Sequence, residues 1–107
     1  MLDFLIWRFG PISAASRNYL NKQLIYQGVL EGRLSPACVQ DLADLGVDHA
    51  KITAAMRRLK WHAIVTDCLD VVALSVWRLL FHPDDPPQGA VADKCREILA
   101  GHGALPH

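Results

Sequence analysis

Along the chain, apolar side chains recur at helical rather than alternating spacing, and turn-forming residues cut the pattern into helix-length pieces. The cuts fall at Gly10-Pro11, Gly32, Ser35-Pro36, Gly46, the stretch from Pro83 to Gly89, and Gly101. Leu2 to Phe9 is apolar but too short to stand alone as a helix, so it is expected to dock on the rest. Pro11 suits the first turn of a second helix ending at Gly32, with Ala15, Tyr19, Tyr26, Val29 and Leu30 on its inner side. Lys22 and Gln23 interrupt that stripe, which leaves open an interface role for the two tyrosines. Ser35 followed by Pro36 is an N-cap and first-turn pair opening a third helix, with Val39, Leu42 and Leu45 inward. Gly46 ends that helix in the left-handed conformation, and Asp48 caps a fourth whose inner side is Ile52, Ala55, Met56 and Leu59.

From Val47 to His82 there is neither Gly nor Pro, so the chain permits one very long helix. At 100° per residue, however, the stripe of Ile52 to Leu59 does not continue into that of Val65, Cys68, Leu69, Val72, Val76, Leu79 and Leu80. A bend near Leu59 to His62, with Trp61 filling the corner, is the expectation. After the proline-rich loop, a last helix from about Ala90 to Ala100 turns Val91, Cys95, Ile98 and Leu99 inward. No strand pattern is present, so the predicted fold is all-α: a single domain of five or six helices over residues 1–100, with residues 101–107 a fraying tail.

Composition supports a folded domain: 107 residues, 51% hydrophobic and 21% charged, are enough for a core. Asp3 near the start and Arg8 at the end of the first apolar run do not fit an export signal. Asp67, Asp70 and Arg78 make a bilayer span of Trp61 to Phe81 costly. A cytoplasmic location is therefore expected. Cys38, Cys68 and Cys95 stand far apart and form no metal-ligand spacing with the five histidines, so they read as buried thiols and no metal is expected. Asp67 and Asp70 sit three apart as if on one helix side, but no nucleophile, base or phosphate loop completes a site, so neither catalysis nor a cofactor is expected.

Eleven Lys and Arg balance eleven Asp and Glu, which removes the overall positive field typical of nucleic-acid binders. The charges are nevertheless segregated: residues 1–66 carry eight basic and five acidic side chains, and residues 67–107 carry three and six. Between Asp48 and Asp67 lie four basic residues and no acid.

Residues 38–57, CVQDLADLGVDHAKITAAMR, bring Gly46, Val47, Ile52 and Ala55 into a register that resembles the helix-turn-helix of Cro-type phage repressors. The fifth place, usually small in that family, holds Leu42. The resemblance implies a transcriptional regulator with duplex DNA as its partner and a homodimeric state, with the second helix in the major groove. His49, Ala50, Thr53, Ala54 and Arg57 would then lie on its outward side, with Thr53 and Arg57 reaching base edges, while Lys51, Arg58 and Lys60 would touch phosphates. Asp41, Asp44 and Asp48 lie around the helix ends that would approach the phosphates. Leu42-Ala-Asp-Leu-Gly-Val47 with Ile52 is also similar to the YjiS-like small bacterial proteins, whose arginine-dense segment before the turn is represented here by Arg33 alone. The alternative to DNA binding is a protein-binding adaptor or inhibitor, with Phe4, Trp7, Tyr19, Tyr26 and Trp77 as anchors.

Overall fold

The helices form where local signals start and stop them. The computed structural model describes residues 14–106, and Leu2 to Phe9, with Phe4 and Trp7, lies outside them. Five helices are found among the described residues: α1 (Ala14–Glu31), α2 (Pro36–Asp44), α3 (His49–Thr66), α4 (Leu69–Phe81) and α5 (Ala90–Gly101). The domain is all-α, and none of these helices is long and apolar enough to cross a membrane.

Ser35 caps α2 by accepting from the Cys38 N–H, with Pro36 in the first turn. Asp48 caps α3 by accepting from the Lys51 N–H at 3.1 Å. Between them Gly46 takes φ 85°, with its N–H donating to the Ala43 carbonyl while the Val47 N–H donates to Leu42. These paired bonds are a Schellman closure, and Leu42 and Val47, the two residues such a closure brings together, are both buried.

The core is built where α1 packs along α4, α4 against α5, and α3 across all three. Ile25 and Val29 share one buried cluster with Ile52, Met56 and Leu59, and the same cluster takes in Val72, Val76, Leu80, Cys95 and Leu99. α2 is lightly held, through buried Cys38 and Leu42 and an exposed Arg17–Asp41 ion pair of 2.9 Å to α1.

Four expectations are corrected. First, α3 does not bend at Leu59 to His62 but runs unbroken to Thr66, and Trp61 fills no corner: it is 65% exposed. The chain turns instead at Asp67, in the left-handed region at φ 51°, with the Cys68 N–H reaching back to the Ala63 carbonyl. Asp tolerates this conformation better than most side chains, so no glycine marks the break. Val65 consequently faces solvent, and Asp67 and Asp70 belong to a turn and to a new helix rather than to one helix face.

Second, α1 buries a different side from the one its apolar residues suggest. Asn21, Ile25, Gly28 and Val29 face inward, whereas Tyr19, Tyr26 and Leu30 are exposed. Gly28 lets α1 approach Met56 and the loop at Arg33 and Leu34 closely. Third, Leu45, the residue that caps the end of α2, is exposed, and the buried positions of α2 are Cys38 and Leu42. Fourth, the segment after Gly101 does not fray at once. Gly103 is left-handed, the Ala104 N–H donates to the Leu99 carbonyl at 2.8 Å, Ala104 is buried and Leu105 packs on the core.

Candidate interaction surface on the third helix

α3 turns Ile52, Ala55, Met56, Leu59 and Ala63 inward, which aims the intervening residues at solvent. His49, Lys51, Arg57 and Arg58 are exposed, and Thr53 and Lys60 are half-buried at the edges of that outer face. The expected nucleic-acid residues therefore lie together on one helix.

Ion pairing sharpens their electrostatics. Arg17, Arg33, Arg78, Lys94 and Arg96 each have an acidic partner within 4 Å. Lys22 lies 5.3 Å from the centre of the Trp77 ring. Among the described residues, the Lys and Arg side chains left without an acidic or aromatic partner are Lys51, Arg57, Arg58 and Lys60, all on α3. The described residues thus concentrate their uncompensated positive charge on one helix. The nearby acids are largely engaged: Asp41 by Arg17, Asp44 by the Gln40 amide and Asp48 by the helix backbone.

The four cations are not equivalent. The Lys51 side chain runs over Gly103 at the C-terminal turn of α5, and the Lys60 stem covers Gly32 at that of α1. A helix C-terminus carries partial negative charge, so both lysines have a structural use. Arg57 and Arg58 have none. Arg57 opens onto a groove of about 430 Å³ lined by Glu31, Gly32, Arg33, Thr53 and Lys60. Arg58 opens onto another, of about 350 Å³, beside Lys94, Glu97 and His102. Thr53 donates its hydroxyl to the His49 carbonyl at 2.8 Å, so it offers a ligand its methyl group and an acceptor, not a proton.

The expected partner-binding aromatics are dispersed. Tyr19 and Tyr26 are exposed on α1, and Asp70 beside the Tyr26 hydroxyl pushes that phenol's pKa up. Trp77 is half-buried, edge-on to His82 at 4.6 Å, and that histidine's Nε2 lies 2.7 Å from Asn18 Oδ1. Trp77 is thus a packing residue rather than a free anchor. Sequence reasoning missed Trp61, Ile64 and Val65, which are 65%, 56% and 68% exposed on the last turns of α3. Their spacing opposite Met56, Leu59 and Ala63 becomes visible once α3 is taken as unbroken.

Cys38 and Cys95 are buried, and burial pushes both thiols up to about 12, helped at Cys38 by the Asp41 charge. Cys68 is only partly buried and its Sγ donates to the Thr66 carbonyl. Comparison with protein-family models, curated proteins and solved structures finds no match to this chain.

Proposed function

We propose that this protein is a small, non-enzymatic, cytoplasmic regulator that binds duplex DNA through the outer face of α3. The observation that carries the reading is the collection of uncompensated cations on the helix that follows the Gly46 turn. In this reading Arg57 reaches a base edge, where guanidinium can donate two bonds to guanine, and Arg58 contacts phosphate. Thr53 supplies an apolar and acceptor contact. Lys51 and Lys60, tied over neighbouring helix ends, add field rather than direct contacts.

Fluorescence anisotropy of a labelled duplex across a salt series tests this. Binding is expected to weaken steeply with salt. Arg57→Ala with Arg58→Ala should lower affinity and reduce the slope of log K against log salt by about 1, since the one phosphate contact, from Arg58, contributes about 0.9. No binding at low salt, or equal binding by the wild type and the double variant, overturns the reading. The exposed apolar end of α3 favours a second, protein-binding role.

A further inference from the structure

The last turns of α3 carry apolar side chains on two sides, with Leu59 and Ala63 buried on one and Trp61, Ile64 and Val65 exposed on the other, and with Lys60, His62 and Thr66 between them. A helix of that kind is ordinarily covered on both sides. Leu30, 47% exposed on α1, extends the patch across the groove that Ile64 lines. These four side chains present on the order of 500 Å² of largely apolar surface, in the range of the largest patch on a monomer and well over half of the roughly 800 Å² each partner contributes to a standard interface.

The charges at the rim of the patch select the occupant. Lys60 and Asp67 line the same groove as Ile64, and neither has an ion-pair partner among the described residues. They are seven residues apart, about 10 Å along the helix, with Ile64 between them. A two-fold axis beside Ile64 would set two α3 helices antiparallel, which brings Lys60 of each copy to Asp67 of the other while the apolar side chains meet across the axis. A patch that is basic at one end, apolar in the middle and acidic at the other is complementary to its own inverted image, which is what an isologous contact requires.

We propose that two copies of this chain associate through the last turns of α3, burying Leu30, Trp61, Ile64 and Val65 and pairing Lys60 of each with Asp67 of the other. The inference rests on the patch and not on DNA binding. It commits Lys60 to the partner and leaves Arg57 and Arg58 at the edge of the contact, so dimer formation and DNA binding are tested with different variants.

Sedimentation velocity of the full chain from about 1 to about 300 µM is the test, a range that brackets micromolar affinity. The wild type is expected to shift from monomer to dimer. Ile64→Glu, at a solvent-facing position that leaves the core intact, should remain monomeric with an unchanged circular dichroism melt at low concentration. Lys60→Asp and Asp67→Lys should each weaken the dimer at least about tenfold, because symmetry applies every change twice. Mixing these two variants should restore association, since each unlike-charge contact is re-formed in the heterodimer. A wild type that stays monomeric throughout, a dimer that survives Ile64→Glu, or folded charge variants that do not recover on mixing would overturn the proposal. If Asp67→Lys fails to fold, Ile64→Glu and Lys60→Asp decide the matter.

Discussion

Replacing Gly28 by alanine sets two opposing effects against each other at one position. Gly28 lies inside α1 with ordinary helical geometry, so an alanine there gains about 1 kcal/mol of helix propensity. The added methyl would run into the Leu34 side chain and come within 3.2 Å of both the Arg33 carbonyl oxygen and Met56 Cε. Leu34 and Met56 can swing their tips aside. The Arg33 carbonyl cannot retreat easily, because the loop that carries it is tied to Gly28 itself: the Gly28 carbonyl accepts from the N–H groups of Gly32 at 2.7 Å and Arg33 at 3.0 Å. Overpacking of this kind costs about 1–3 kcal/mol, which outweighs the propensity gain. Gly28→Ala should therefore destabilise by about 1 kcal/mol, with a melting temperature lower by roughly 4–8 °C. Urea unfolding followed by circular dichroism measures it. In a Leu34→Ala background most of the penalty should remain, because the Arg33 carbonyl rather than the mobile Leu34 tip opposes the methyl, so the double-mutant cycle should show a coupling below about 0.5 kcal/mol. A single Gly28→Ala variant more stable than the wild type would refute the argument, since that is how an unobstructed helical glycine behaves. The contact matters for the surface because it seats Arg33 and the α1–α2 loop beside Lys60 and Arg57.

Three further outcomes follow from local geometry. Gly46 holds φ 85° in open space, so Gly46→Ala should cost about 1–2 kcal/mol of left-handed strain without a clash, and Gly46→Asn less, both read by urea unfolding. An equal cost for the two would contradict this. The folded state keeps Cys38 and Cys95 protonated up to about 12 against an ordinary 9.0, so above pH 9 the unfolded chain loses these protons first and stability must fall as pH rises toward 12. Their contribution is fully present below pH 9. Native-state labelling with a disulfide reagent should modify Cys68 well before Cys38 or Cys95, and equal rates for all three would show that the two buried sites open readily.

The features legible in the sequence are those decided within a few residues. Ser35-Pro36, Gly46 and Asp48 act on their own helix ends through short hydrogen bonds or backbone strain, so their residue types suffice to place α2, the turn and the start of α3. The inner positions Ile52, Ala55, Met56 and Leu59 were equally readable, because one helical period spans them without interruption. Tertiary structure decided the rest. Which side of α1 is buried depended on Gly28 allowing close approach, so the helix turned Tyr19, Tyr26 and Leu30 outward despite their hydrophobicity. Where α3 ends depended on Asp67 accepting a left-handed conformation that packing of α4 on α1 and α5 requires, and no residue type announces that. The site divides in the same way: the basic run after Asp48 could be counted along the chain, whereas its lack of ion pairs among the described residues is a matter of which acids the fold brings to the other cations. The exposure of Trp61, Ile64 and Val65 is likewise tertiary, since a single chain buries the side of α3 that its own helices can reach and leaves the opposite side to solvent.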